Sequence, residues 1–410
     1  MERLLLLIPT TSYRVGDFLK AARRLDVEVT VGANRRQVLE KYSQGRTVTL
    51  DFRDSEKGTK QIVDFAGRYP LQAIVAVDEE TTVLAAKASE ALGLPHNSPS
   101  SVAAAANKYR FRRALAEAGL PSPGFALVSL EDDPAEAARR FDYPCVLKPL
   151  AFSASRGVIR ADDPAAFAAA FCRIGKLLND PDARSPAGTG DHLLVEDYVP
   201  GTEVALEGLL DRGRLEILAL FDKPDPLEGP FFEETIYLTP SRLPAVVQRA
   251  VTATTAGAVT ALGLHDGPIH AELRISETGP VVIEFAARSI GGLCSRVLRF
   301  GVGISLEELI LRHALRLPIG SLEREARPAG VMMIPIPRAG RLRHVRGLAG
   351  ARGVPGIEDV TITIPLGQVL VPLPEGSKYL GFIFARAKTP QAVEAALRDA
   401  HSRLEFRIEA

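Results

Sequence analysis

The chain has no tryptophan, 3 cysteines, 3 methionines and 6% aromatic residues among its 410 positions. Cys145, Cys172 and Cys294 lie far apart without a CxxC pair, which excludes a disulfide framework and fits a reducing cytoplasm, the location expected here. Cys294 lacks a histidine partner and reads as a packed thiol rather than a nucleophile. An excess of one charge is missing too, since 50 Lys and Arg balance 50 Asp and Glu. With no long basic run either, no nucleic-acid partner is expected. No apolar run approaches the roughly 20 residues of a membrane span, so no membrane partner is expected. The run in MERLLLLIP is too short for a secretory core and meets Pro9, so it reads as the first buried strand of an α/β domain. No GxGxxG follows any early strand, which removes the dinucleotide-binding fingerprint, and no repeat of fixed period is present.

What the chain does have is length and alternation. At 410 residues it holds two or three domains with large cores. Residues 1–100 alternate short apolar runs (LLLLI, VEVTVG, TVTLDF, AIVAV) with helical stretches, the pattern of a doubly wound parallel α/β domain. Helical SVAAAANKYRFRRALAEAG follows, ended by Gly119 and the turn-forming Pro121 and Pro123. Next come strand CVLKP, loop LAFSASRG, strand VIRA, a helix over 164–178, a surface loop over 180–191, strand HLLVEDYV and the alternating TEVALEGLL of a second sheet. KPDPLEGPFFEETIYLTPS is too proline-rich for regular structure and is expected as a long functional loop. In that loop, Phe231, Phe232 and Glu233 either plug a core edge or shape a pocket. After residue 320, strands GVMMIPIP, VTITIPL and YLGFIFARA, a helix started by Thr389-Pro390 and strand LEFRI read as a small separate α+β domain. The expected domains are 1–100, 101–320 and 321–410.

The densest chemistry lies in HAELRISETGPVVIEFAARSIGG, residues 270–292. Residues 270–276 and 280–286 are strand-like, and Glu277-Thr278-Gly279 suits a three-residue hairpin loop with glycine in the left-handed position. Pairing Ser276 with Pro280 then sets Arg274 opposite Val282 and Glu272 opposite Glu284, with both carboxylates on one face. Like charges so placed repel, and a divalent cation between them removes the repulsion. Mg2+ is commonly held by one or two carboxylates plus substrate phosphates, so the pair predicts a nucleotide nearby. The hairpin alone is equally compatible with two glutamates facing water. His270 shares the face of Glu272 as a candidate substrate or proton-handling group, with a packed histidine as the alternative.

Lys148 ends an apolar strand before a small-residue loop. Backbone N–H groups and the hydroxyls of Ser153 and Ser155 in that loop, which runs to Gly157, can cradle phosphates. Read alone, the same residues make an ordinary hairpin with a lysine at its edge. Lys108 stands near the start of its helix, and LLVEDYVPGTE offers a strand end for an adenine, with Glu203 beyond the turn for ribose hydroxyls. Backbone N–H groups of SIGGLCSR, opening a helix, can hold a developing oxyanion. Arg296 reads either as a salt bridge or as the partner of a substrate carboxylate.

In order and spacing, Lys108, Lys148, the serine-rich loop, Glu196, Glu203, Glu272, Glu284 and Arg288 resemble the ATP-grasp superfamily over roughly residues 1–320. Within it, the chain is similar to the biotin-carboxylase-like carboxylate–amine ligases, most of all the L-amino acid ligases that make dipeptides. The resemblance implies an N-terminal α/β domain, a central ATP-grasp domain with a lid subdomain at about 144–205, and the small C-terminal α+β domain. It implies Lys108 and Lys148 on phosphates, 151–157 as the lid tip, and adenine contacts along Glu196, Asp197, Tyr198 and Val199. It also implies a ribose contact at Glu203, and Glu272 and Glu284 as ligands of Mg2+ or Mn2+. Arg288 matches the arginine that steadies an acyl-phosphate, Gly291 and Gly292 match the turn beside the substrate, and Ser289 is a further candidate substrate contact.

Two positions depart from the family pattern. SAS replaces most of the lid glycines, leaving Gly157 alone, and Ala286 stands where an asparagine, a further metal ligand, usually follows the second carboxylate. The implied reaction is ATP-dependent and ADP-forming, joining a carboxylate to an amine through an acyl-phosphate, with an amino acid on at least one side. The alternatives are a carboxylase or a phosphoribosylamine–glycine type of ligase on the same fold, and a degenerate nucleotide-binding regulator. The expected partners are small carboxylates and amines, and the balanced charge permits a homodimer without demanding one.

Overall fold

Leu4, Leu5, Leu6 and Leu7 are all fully buried, because the strand Arg3–Leu7 is covered on both faces. Leu4 and Leu6 join one core and Leu5 and Leu7 another, the period of two that a strand imposes. The structure is a computed structural model that describes residues 2–10, 12–35, 46–180 and 189–410; most of the surface loop expected at 180–191 lies outside them. Thr47–Thr49, Glu28–Ala33, Arg3–Leu7 and Ala73–Ala76 form, in that order, the expected parallel sheet.

The helical stretch that follows is two helices, Pro99–Ala106 and Lys108–Glu117, rather than one. Asn107 is extended (φ −114°, ψ 110°), and its Oδ1 accepts from the backbone N–H groups of Tyr109 and Arg110. A capping side chain inside the run thus ends one helix and starts the next. Lys108 and Arg112, one turn apart, then share a face of the second helix.

An antiparallel sheet ordered Phe125–Ser129, His192–Asp197, Cys145–Pro149, Ile159–Ala161 carries the 151–157 loop and the helix Pro164–Leu178. A third sheet of eight strands runs Gly279–Ala286, Gly267–Ser276, Thr202–Asp211, Arg214–Asp222, Ile236–Thr239, Ala329–Ile334, Gly381–Arg386, Ile357–Ile362. Its last three strands belong to the C-terminal stretch, so that α+β unit, expected to stand apart, shares a sheet with the centre of the molecule. Gly340–Arg346, Val369–Leu370 and Glu405–Glu409 make a smaller sheet beside it. The strand Ile236–Thr239 corrects the reading of its proline-rich surroundings as structureless, since IYLT is buried along its length and pairs on both edges. No described helix is long and apolar enough to cross a membrane.

Candidate active site

The hairpin pairs Glu272 with Glu284, but by a route the expected turn does not supply. Ser276 pairs with Gly279 instead of Pro280, so the turn is the two residues Glu277-Thr278 and the nearby pairs shift by one. Left uncorrected, that shift would send the two glutamates to opposite faces. A bulge at Ile283 takes up the extra residue, because Leu273 pairs with Val282 and Glu272 with Glu284. Ala271, Leu273, Val282 and Phe285 pack into the core beneath, leaving the glutamates on the other face.

The neighbouring strand extends this charged floor, with Glu203 paired to Arg274, Ala205 to Glu272 and Glu207 to His270. Lys223 Nζ sits among three carboxylates, 2.7 Å from Glu203 Oε1, 3.0 Å from Glu272 Oε1 and in contact with Glu234. Burial opposes the Lys223 charge, but the three carboxylates outweigh it and keep the ammonium protonated. Burial and the Glu272 charge push Glu234 up to about 8. His270 Nδ1 lies 3.1 Å from Glu207 Oε2, and Nε2 lies 3.3 Å from Glu272 Oε1. Burial disfavours a charged ring there, yet Glu207 and Glu272 raise His270 to about 9. Glu203, expected at a ribose, is buried with both oxygens engaged, by Lys223 and by Arg274 Nε at 3.0 Å. It ties those two cations to the same strand. Arg274 Nη1 in turn donates to Tyr198 Oη (2.9 Å) and the Val199 carbonyl (3.0 Å), tying the expected adenine segment to the floor.

On the opposite wall, Glu196 is held by Arg112 Nε at 2.6 Å and Lys148 Nζ at 2.5 Å. Burial works against the Glu196 charge, but the two cations hold the carboxyl down at about 2. Arg112 also donates to the carbonyls of Val282 and Ile283, so it clasps the bulge that sets the floor. Asp197 accepts from the Gly124 N–H at 3.0 Å. Lys108 Nζ donates to the Phe152 carbonyl at 2.6 Å and lies 3.9 Å from Glu284 Oε1. Glu79, Lys108, Phe152, Ser153, Glu196 and Glu284 line one cleft.

The glycine-poor loop keeps a glycine-like path, because Ala154 (φ 57°) and Ser155 (φ 53°) are left-handed, as is Gly157 (φ 72°). Its far end rests on the C-terminal unit rather than on the cleft. Gly157 N–H donates to the Pro374 carbonyl and Arg156 Nε to the Glu375 carbonyl, each at 2.8 Å. Ser153 lines the cleft and Ser155 does not.

Arg288 Nε lies 2.9 Å from Glu79 Oε2, a carboxyl that burial raises above its usual range. Ser289 and Arg296 both reach the N-terminal domain: Ser289 Oγ accepts from Arg14 Nη2 at 2.8 Å, and Arg296 Nε donates to Asp17 Oδ2 at 2.8 Å, the salt-bridge reading of Arg296. The stretch after Arg288 forms a short 3-10 turn, Cys294–Val297, in place of the expected helix. Gly292 is left-handed (φ 59°), and a Cβ there would meet the Phe382 ring at 3.0 Å, whereas one on Gly291 would meet nothing within 4 Å. Sequence reasoning missed Glu79, Arg112, Glu207, Lys223 and Glu234. Of these, Glu207 had a usable signal, since the alternation of TEVALEGLL puts it on the face of Glu203.

A lid wall rich in cations, facing a carboxylate floor at the edge of an antiparallel sheet, matches a known domain class. Residues 141–297 match the ATP-grasp domain family and residues 19–96 the ATP-grasp N-terminal domain. The chain belongs to the ATP-grasp superfamily. More narrowly, residues 332–409 match the L-amino acid ligase C-terminal domain 2. The crystal structure of an L-amino acid ligase from Bacillus licheniformis superposes with a TM-score of 0.81 at 25% identity, covering 100% of this chain and 99% of that one. An uncharacterized protein of Sinorhizobium fredii is 24% identical over 100% of this chain and 84% of its own length. Alanine–anticapsin ligase of Bacillus subtilis is 26% identical over 66% of this chain, and the match spans 60% of that ligase.

Proposed function

We propose that the protein is an ADP-forming ligase that activates an amino acid carboxylate as an acyl-phosphate and joins it to the amino group of a second amino acid. One face of one sheet carries the reading, with Glu272 opposite Glu284, Lys108 within 3.9 Å of Glu284, and Arg288 just past the strand end. Hard carboxylate oxygens next to lysines suit Mg2+ shared with a polyphosphate, so Glu272 and Glu284 are the residues that would hold it. Bound there, it would neutralise charge on the transferring phosphoryl group.

The substrate carboxylate attacks the γ-phosphorus of ATP and ADP leaves; the amine then attacks the acyl carbon and phosphate leaves. Lys108 and Lys148 hold the phosphates, and the segment Glu196–Val199 receives the adenine. The loop with Ser153 covers the site against water, which would otherwise hydrolyse the acyl-phosphate. Arg288, oriented by Glu79, faces the acyl-phosphate oxygens, and the Gly291–Gly292 turn lets backbone approach the reacting carbon. Positioning and charge neutralisation of this kind are what phosphoryl transfer asks of a protein. The relatives named for L-amino acids and for alanine support an amino acid substrate.

With MgATP and pairs of amino acids, the purified protein is expected to release ADP and phosphate, and to form a hydroxamate when hydroxylamine replaces the amine. Tight MgATP binding without ADP formation from any carboxylate and amine would overturn the reading.

A further inference from the structure

Arg14 lies outside every motif that carries the ligase reading, yet it is 1% exposed and reaches the stretch that follows Arg288. It stands between the strand Arg3–Leu7 and the helix Val15–Arg24 of the N-terminal domain, with its guanidinium 5.1 Å from the centre of the Phe18 ring. A buried cation is costly unless partners compensate it, and the partners here come from three separate segments. Nη1 donates to the Val77 carbonyl at 3.3 Å, while Nη2 donates to Ser289 Oγ at 2.8 Å and lies 3.5 Å from Glu307 Oε1. Glu307, on the helix Leu306–Ala314, is itself buried and accepts from Ser295 Oγ.

These contacts bracket the chemistry. Val77 stands two residues before Glu79, and Ser289 stands one after Arg288. Arg14 therefore joins the two backbones that carry the Arg288–Glu79 pair, whose atoms lie 2.9 Å apart. Ser289, held directly, and Ser295, held through Glu307, also flank the Gly291–Gly292 turn. Between them, Glu207 holds the Ile290 N–H at 3.1 and 3.0 Å. A guanidinium suits the task because its donors form a rigid planar fork, so one side chain sets the spacing of several segments. A lysine would keep the charge beside Glu307 and lose the fork.

We propose that Arg14 is a positioning residue: by clamping the 289–295 segment to the backbone at Val77, it seats Arg288 against Glu79 for the acyl-phosphate step. The inference rests on the ligase reading and gives the loop before the first helix a part in turnover.

The test compares the unaltered protein with Arg14→Lys, Ser289→Ala and the two together. Arg14→Lys is expected to lower kcat roughly 10- to 100-fold, the cost of a misplacement of about 1 Å, with KM for ATP changed by less than about twofold. Since both residues act through one contact, Ser289→Ala should lower kcat too, and the double substitution should cost little more than Arg14→Lys alone. A reading that needs no activity is the Arg288 Nε–H resonance of protein labelled with 15N-arginine, assigned by its loss in Arg288→Lys. It is expected to shift or broaden in Arg14→Lys. If Arg14→Lys does not fold, Ser289→Ala, which removes only a hydroxyl, decides by the same readings. An unchanged Arg288 signal in the folded variant overturns the positioning role whatever happens to kcat, and leaves the ligase reading standing. A raised KM for the amino acid in Ser289→Ala, with kcat intact in Arg14→Lys, overturns it as well. No ADP formation by the unaltered protein from any carboxylate and amine counts against the ligase reading, and the Arg288 signal then decides whether Arg14 seats that residue.

Discussion

The two walls of the cleft are built as opposites. On the lid wall one carboxylate, Glu196, is held between Arg112 and Lys148, with Lys108 close to the same cleft. On the floor one ammonium, Lys223, is held among Glu203, Glu234 and Glu272. The lid wall thus keeps cationic charge that Glu196 does not cancel, whereas on the floor Lys223, Arg274 and His270 stand against the carboxylates of Glu203, Glu207 and Glu272. Unbalanced charge in a desolvated site is expensive unless a ligand completes it. The uncancelled cations of the lid wall are the charge that the polyphosphate of the proposed substrate would complete. Depth varies within each wall rather than between them: on the floor Lys223 is 3% exposed and Glu284 32%, and on the lid wall Arg112 is 0% exposed and Lys148 12%.

The sharpest way to break this contrast is to remove the central cation of each wall. Lys223→Met leaves three buried carboxylates without their shared partner, and a loss of about 3–5 kcal/mol in unfolding free energy is expected from denaturant titration. Lys148→Met leaves Glu196 still bound by Arg112, so stability should fall by less than about 2 kcal/mol, while kcat/KM for ATP falls roughly 100-fold or more. Equal destabilisation by the two substitutions would show that the walls are not built differently.

Acidity separates the walls in opposite directions. Glu196 is depressed from 4.5 to about 2, so the stability it contributes, about 3 kcal/mol, is present above pH 4.5 and lost as pH falls toward 2. His270 is raised from 6.5 to about 9, so its contribution in the metal-free protein is full below pH 6.5 and lost as pH rises through 9. Unfolding midpoints of the metal-free protein across pH should show Glu196→Gln flattening the acid limb and His270→Gln the alkaline limb. A single substitution that flattened both limbs would mean that the walls titrate as one network.

How much of this was legible depended on whether the signal was local. The parallel sheet and the helix Pro164–Leu178 followed from periodicity and caps that lie within a few residues of each other. The pairing of Glu272 with Glu284 was legible too, although the reason was only half right. A two-residue turn and a bulge at Ile283 reach the same register as the expected three-residue loop, and a run of VVIEF carries no mark of which residue bulges. Asn107 was a capping residue hidden in an alanine-rich helix, and its signal was lost to the helical average. Lys223 was illegible for a different reason. It follows a strand and precedes Pro224, so it looks like a loop lysine, and its three partners come from Glu203, Glu234 and Glu272 on separate segments. Charge hubs of this kind exist only after the sheet has assembled.

The smallest effect tests whether the lid wall is an attached part or an integral one. Arg173 binds both oxygens of Glu375, at 2.5 and 2.9 Å, beside the contacts of Gly157 and Arg156 with the 374–375 turn. Both partners of this ion pair are more than a third exposed, 46% and 39%. Such pairs contribute at most about 1 kcal/mol, so Glu375→Gln should leave the unfolding midpoint almost unchanged. Its effect should appear instead as local opening, with amide hydrogen exchange at Gly157, whose N–H donates to Pro374, accelerated by up to about fivefold. Exchange that rises at Gly157 while the Glu272–Glu284 hairpin stays protected would mean that the lid is tethered by surface contacts and the floor is set by the core. Loss of protection in both together would make the 374–375 turn a support of the whole cleft, and the difference between the two walls would then be one of charge and not of anchorage.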